Sequence, residues 1–340
     1  MLQTLKNSLV ILLGIVIWSC ESSETVQNRE TISNEQITHE PAWSISESKV
    51  LGPYNPFPLV TTASFTPINT VSYQDNHPTT LISLGPTELR AYPNSFIGLY
   101  EIINNEYENK KYAITHCPQT SSTIAWDRTI NNNVVTLKAS GYLFNDNLMP
   151  IDIETNSIWS QMLIRGVRGQ YDYVSPNTFN VVETDWKTVK EKFPTAKVYN
   201  EQVNNEVVEN ISSPGTTNRD YFRYGIISGI ANVKIHIFKY DLFQEPGLTL
   251  LNTTITGKKV LVLGNEERNF VSSYYVDSKR IYSVSDEDSF LFKDNLGNVY
   301  NAMGLVVDGP EKNMQLDSPK AYTAAWQSWQ DFYDDFVFFE

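Results

Sequence analysis

The sequence predicts a β-rich α+β fold: a duplicated strand-rich module with short helices, preceded by a disordered tether. Short β-branched and aromatic runs dominate its apolar segments. One strand–loop–helix pattern occurs twice. The first 48 residues are a hydrophobic leader followed by a polar stretch without the periodicity of a core. With 340 residues, 41% hydrophobic and 19% charged, the chain is long enough for a substantial globular core. Its 26 basic and 39 acidic residues give a formal net charge of −13. That balance disfavours nucleic acid and anionic lipid surfaces, which need Lys/Arg patches. Solubility is reason enough for such a surface.

Residues 1–19 read as a lipoprotein signal peptide. Lys6 precedes the apolar run "LVILLGIVIW" (Leu9 to Trp18). About ten apolar residues are too few to span a bilayer but suit a signal core. Ile17-Trp18-Ser19-Cys20 then resembles a bacterial lipobox, which makes Cys20 the lipidated N-terminus of the mature chain. The chain has two cysteines, so Cys117 is left as the only thiol and no intramolecular disulfide can form. Residues 20–48, rich in Glu, Ser, Thr and Asn, read as the tether, with His39 solvated in it.

The first repeat is expected over 49–205. "TTLISL" (Thr79 to Leu84), "KKYAITH" (Lys110 to His116), "STIAWDR" (Ser122 to Arg128) and "VVTLKAS" (Val134 to Ser140) read as strands, with "INNN" as a hairpin turn. Phe96, Leu99, Tyr100 and Ile103 recur at helical spacing, which predicts a short helix between Pro93 and Asn105. The second repeat is expected over 206–340. "IETNSIW", ending at Trp159, matches "DNLGNVY", ending at Tyr300. About 27 residues after each comes a helical stripe: Trp186, Val189 and Phe193, then Trp326, Trp329 and Tyr333. Both stripes put their apolar residues on one face, so both are expected to be core. "VLVLGNEERNFV" (Val260 to Val271) is paired with "LISLGPTELRAY" (Leu81 to Tyr92) as the repeat's upstream part.

"ELRAYPNSFIGLYEIINNEY", "YAITHCPQTSSTIAWDR", "SGYLFNDNLMPIDIETNSIWSQ" and "TDWKTVKEKFPTAKVY" occur in that order, followed by "AMGLVVDGP…AWQSWQDFY". From about Val60 to Tyr333 they resemble a bacterial and archaeal family known only as a domain of unknown function, number 3179. The resemblance implies a site built from a His before the helix Glu, a Cys-Pro-x-Cys hairpin and a Met in the following block. Such a set suits thiol redox chemistry or a soft metal such as copper. This chain has Tyr100 before Glu101, Thr120 at the second cysteine and Pro150 at the methionine, with Met149 one residue earlier. Only Cys117 remains.

The expected site residues are therefore Tyr100, Glu101, His116, Cys117 and Thr120, with Cys117 the sole catalytic candidate and Cys20 the lipidation site. Tyr100 and Thr120 are expected to converge on Cys117 and plug the ancestral site. His116 need not touch the sulfur, since neighbouring strand residues face opposite ways. His77 and His236 complete the folded histidines, too few to imply a metal, and no cofactor is expected. Asp127-Arg128, Asp152 and Glu154 read as structural groups. The leading expectation is a lipid-anchored, non-catalytic binding or accessory protein of the bacterial envelope, with a small molecule or an envelope protein as partner. Its alternatives are a single-cysteine thiol enzyme and a metal-binding envelope protein.

Overall fold

The computed structural model describes residues 41–200, 221–229 and 232–339. Cys20, the expected signal peptide, His39 and most of the expected tether lie outside the described residues. No helix among the described residues is long and apolar enough to cross a membrane.

Strands dominate because short β-branched and aromatic runs recur, and the central strands are buried along most of their length. The first module opens with a hairpin, β1 (Pro78–Gly85) and β2 (Glu88–Pro93), then helix α1 (Asn94–Tyr100). A meander follows: β3 (Ile102–Tyr107), β4 (Lys110–Cys117) and β5 (Ser122–Asp127). A second sheet comprises β6 (Leu137–Phe144), β7 (Asn147–Asp152), β8 (Ile158–Ser160) and β9 (Arg165–Arg168). The module ends with β10 (Val181–Asp185), α2 (Trp186–Lys192) and β11 (Lys197–Tyr199). β10 flanks β1 antiparallel and β11 flanks β2 parallel, so the chain returns to its own first hairpin.

The second module repeats every strand of this series. Its hairpin is β12 (Phe222–Ser228) and β13 (Lys234–Phe238); a 3-10 turn, Tyr240–Phe243, stands where α1 stood. The meander is β14 (Thr249–Ile255), β15 (Lys258–Asn265) and β16 (Phe270–Tyr275). The small sheet is β17 (Tyr282–Val284), β18 (Leu291–Asp294), β19 (Val299–Asn301) and β20 (Val306–Asp308). Then come β21 (Ala321–Ala325), α3 (Trp326–Phe332) and β22 (Phe336–Phe339), with β21 antiparallel to β12 and β22 parallel to β13. Trp159 and Tyr300 occupy equivalent strands. Each polar tip donates to the Asp of the preceding turn: Trp159 Nε1 to Asp152 at 3.1 Å, Tyr300 OH to Asp294 at 2.8 Å.

The duplication is thus a property of the whole topology, and one expected pairing changes. Val260 to Val271 lies on β15 and β16, so its counterpart is Tyr112 to Thr123 on β4 and β5, not Leu81 to Tyr92. Both first-module segments are two strands around a tight turn.

Each hairpin sheet packs one face on its own meander and the other on its partner's. Ile82 and Tyr92 meet Tyr112 and Ile114 within the first module, whereas Leu81, Ala91, Trp186 and Phe193 pack with Leu261, Leu263, Phe270 and Tyr300 of the second. Reciprocally, Ile235, Ile237, Tyr322 and Trp329 pack with Ala113, Ile124, Trp126 and Trp159. The two modules share their cores.

The helix stripes differ in which residue is deepest. Trp186 and Val189 are fully buried, but in α3 it is Trp329 that is fully buried and Trp326 only partly so. The reason is a volume exchange between equivalent positions. Leu81 on β1 corresponds to Gly225 on β12, and a Cβ at Gly225 would lie 2.5 Å from the Trp329 ring. Small strand residue and large helix residue replace the Leu–Val pair.

Two other expectations shift, and the expected hairpin turn is present. The helix ends at Tyr100, and Ile103 lies in a strand. The "INNN" turn closes a two-residue loop in which Asn131 and Asn132 both have positive φ, as a primed hairpin turn requires. The expected tether does not reach Ser48. From Pro41 the chain docks on β9: Ser44 N donates to Val167 O at 2.9 Å, and Trp43 stacks edge-on against Tyr142 with the Arg168 guanidinium over its ring. Two apolar side chains, Trp43 and Ile45, anchor an otherwise polar stretch.

Candidate functional site

Cys117 ends β4 opposite Ser122, and residues 118–121 form the loop between them. Its side chain is 2% exposed, sits among Ile102, Ile124 and Trp126, and donates weakly to Asp146 O at 3.6 Å. His116 faces the other way, as strand alternation demands. Its Nδ1 meets Thr123 Oγ1 at 2.8 Å, and burial pushes the imidazole down to about 4, so it is neutral at pH 7. It therefore supplies no positive charge to the sulfur.

The expected convergence on Cys117 is only half present. Thr120 lies on Cys117's side of the hairpin, where its hydroxyl meets Ser122 Oγ at 2.9 Å. The Tyr100 ring packs instead against the cluster that holds Ile97, Ile103 and Ile114, on the opposite face of the meander. Helix α1 crosses that face, so its last residue cannot point through the sheet.

Four residues that the motif comparison did not single out complete a buried polar network beside Cys117. Gln161 Nε2 donates to Thr115 Oγ1 at 2.9 Å and to Ser122 O at 3.2 Å, and its Oε1 accepts from Ser122 Oγ and Asn147 Nδ2. Asn147 also donates to Thr120 Oγ1 at 2.9 Å, and Trp126 Nε1 donates to Thr115 Oγ1. Thr115, Ser122 and Gln161 are fully buried. Their second-module counterparts by strand register are Leu263, Phe270 and Ala302, all core. Comparing the two repeats position by position is the signal that marks the network. It surrounds the hairpin end with satisfied hydrogen bonds, and the thiol beside it is sealed.

Glu101 is different. It follows α1 with φ 58° and ψ −35°, a conformation that a residue with a Cβ seldom adopts. Its backbone is held at both ends: its N–H donates to Ile97 O at 2.7 Å and its carbonyl accepts from His116 N at 2.8 Å. Glu101 lines a cleft of about 300 Å³, and burial raises its carboxyl to about 7. One wall is the bulge in β6 at Ser140, Gly141 and Tyr142; the other is the segment Tyr54 to Phe57, with Gln119 of the hairpin loop at one side. Gly141 has φ 80°, and a Cβ there would meet Tyr54 O at 2.2 Å, so only glycine lets the walls approach.

The remaining candidates are structural. Asp127 caps the turn at Thr129 N, Arg128 donates to three backbone carbonyls, Asp152 holds Trp159 and Glu154 accepts from Thr136 N. His77 meets Ser95 at 3.1 Å, while His236 meets Ser228 at 3.0 Å on the second hairpin sheet. No three His, Cys, Asp or Glu side chains among the described residues gather to hold a metal ion.

A family model described as "Protein of unknown function (DUF3179)" matches residues 54–336. The chain belongs to the DUF3179 family. No curated protein and no solved structure matches it. In this DUF3179 protein the match takes in both modules, the Cys117 hairpin and the Glu101 cleft.

Proposed function

We propose that this DUF3179 protein is a lipid-anchored, extracytoplasmic binding protein, held in the bacterial envelope through Cys20, that takes a small ligand into the cleft at Glu101. The observation that carries this reading is the carboxyl itself: strained backbone and desolvation are concentrated on one side chain facing a concave, partly aromatic cleft. Such costs persist where a site needs them. The thiol-enzyme reading is disfavoured by the burial of Cys117 and by the neutral imidazole turned away from it.

Native mass spectrometry of the full chain, extracted from its own membrane in mild detergent, tests the reading. A non-covalent small-molecule adduct is expected on wild type and absent from Leu143→Trp, which fills the cleft. Iodoacetamide should label native Cys117 far more slowly than it labels a model thiol. A thiol labelled faster than the model, with no adduct, reverses the assignment in favour of the enzyme. Cys20→Ser should release the protein from the membrane fraction; unchanged partitioning rejects the anchor.

A further inference from the structure

Among the residues that line the cleft, Glu101 is the only one with an ionisable charge. Around it stand three aromatic side chains, Tyr54, Phe57 and Tyr142, with the Gln119 amide and the Ser140 hydroxyl. Tyr54 and Phe57 are exposed at the rim, 57% and 42%, so their rings are open to solvent. Tyr142 is fixed from behind by Trp43, at 5.4 Å between ring centres. The Ser140 hydroxyl donates to Met149 O and accepts from Tyr142 N, so it is already engaged in the bulge.

Three ligand classes can be weighed against these walls. An anion would be brought beside a carboxylate already short of solvent, in a chain of net charge −13. A neutral ligand would displace water and push the carboxyl further toward its protonated form, so that its charge goes unused. A cation supplies the missing counter-charge and meets aromatic faces that attract it. The protein's overall field draws cations toward the cleft.

We infer that the ligand of the Glu101 cleft is an organic cation of the alkylammonium class, its charged head seated between Glu101 and the rings of Tyr54, Phe57 and Tyr142. This rests on the binding reading above and narrows it to a ligand class.

Choline and its uncharged isostere 3,3-dimethylbutan-1-ol serve as probes, titrated calorimetrically into the full chain at pH 8. Choline is expected to bind at least ten-fold more tightly than the isostere, and Glu101→Gln to abolish that difference. Tyr142→Leu should weaken choline more than the isostere, because only the cation uses the ring's face. Equal or tighter binding of the isostere, lost in Leu143→Trp, overturns the cation assignment and leaves the binding reading standing. No binding of either probe also overturns the cation assignment, and the native adduct then decides separately whether the cleft binds anything.

Discussion

Replacing Glu101 by Gln should change how stability depends on pH, and the size of the change follows from the site. An ordinary glutamate carboxyl titrates near 4.5, and in the folded chain burial holds this one at about 7. The folded state therefore keeps a proton that the unfolded chain releases, so stability falls as pH rises from 4.5 to 7 and is level above. At ~1.4 kcal/mol for each factor of ten, the penalty is about 3 kcal/mol before screening. Because Glu101 is only half-buried, roughly 1.5–2 kcal/mol should survive. Glutamine keeps the shape and cannot ionise. Urea unfolding of wild type and Glu101→Gln at pH 4 and pH 8 isolates the effect, since every other titrating group cancels in the difference. The variant should gain roughly 1.5–2 kcal/mol on wild type between the two pH values. Glu101→Gly should gain further at both, because glycine accepts φ 58° and releases ~1–3 kcal/mol of strain against ~0.5–1 kcal/mol of added chain entropy. A pH-independent difference, or a variant that loses ground as pH rises, refutes the reasoning.

Glu183 has an unpartnered Oε1 and a carboxyl raised by burial to about 8. Glu183→Gln should therefore gain on wild type between pH 4.5 and 8, and a flat profile across that window would show the carboxyl to be solvated. In α3, Trp329→Ala should cost ~3–5 kcal/mol and Trp326→Ala about 1 kcal/mol; denaturant midpoints in the reverse order would contradict the helix phase. Gly225→Ala should cost about 3 kcal/mol through its clash with Trp329, and pairing it with Trp329→Val should recover part of that loss. Gln161→Leu should cost ~3 kcal/mol by stranding Asn147 and Ser122 donors, and a loss below ~1 kcal/mol would mean that the network is not cooperative.

The strands and the duplication were legible because both rest on residue periodicity, which survives divergence of individual side chains. Trp159 and Tyr300 look alike in sequence because they do the same thing, donating to an aspartate from equivalent strands. What local pattern could not supply was relative volume: Trp326 and Trp329 share a face, and only the absence of a Cβ at Gly225 decides which goes deeper. The segment Pro41 to Ser48 read as tether because Trp43 and Ile45 stand alone among polar neighbours, and the surface that receives them comes from β9, far along the chain. The site was legible only in part. A family pattern brought Glu101, Cys117 and Thr120 forward, but Tyr100 faces the other core, because helix α1 and Cys117 lie on opposite sides of the meander. Thr115, Ser122, Asn147 and Gln161 are ordinary polar residues until folding buries them together. Glu101's raised carboxyl depends on a backbone turn and on walls contributed by residues far earlier in the chain, at Tyr54 and Phe57, and far later, at the β6 bulge.

The measurement that bears most directly on the account is the pH titration of the Glu101 carboxyl, followed by its side-chain carbon resonance in the full chain and assigned with Glu101→Gln. A desolvated carboxyl in the cleft predicts a midpoint near 7, moving lower when choline is present. A midpoint near 4.5 that choline leaves unmoved would contradict both the cleft as the working site and the cation as its ligand.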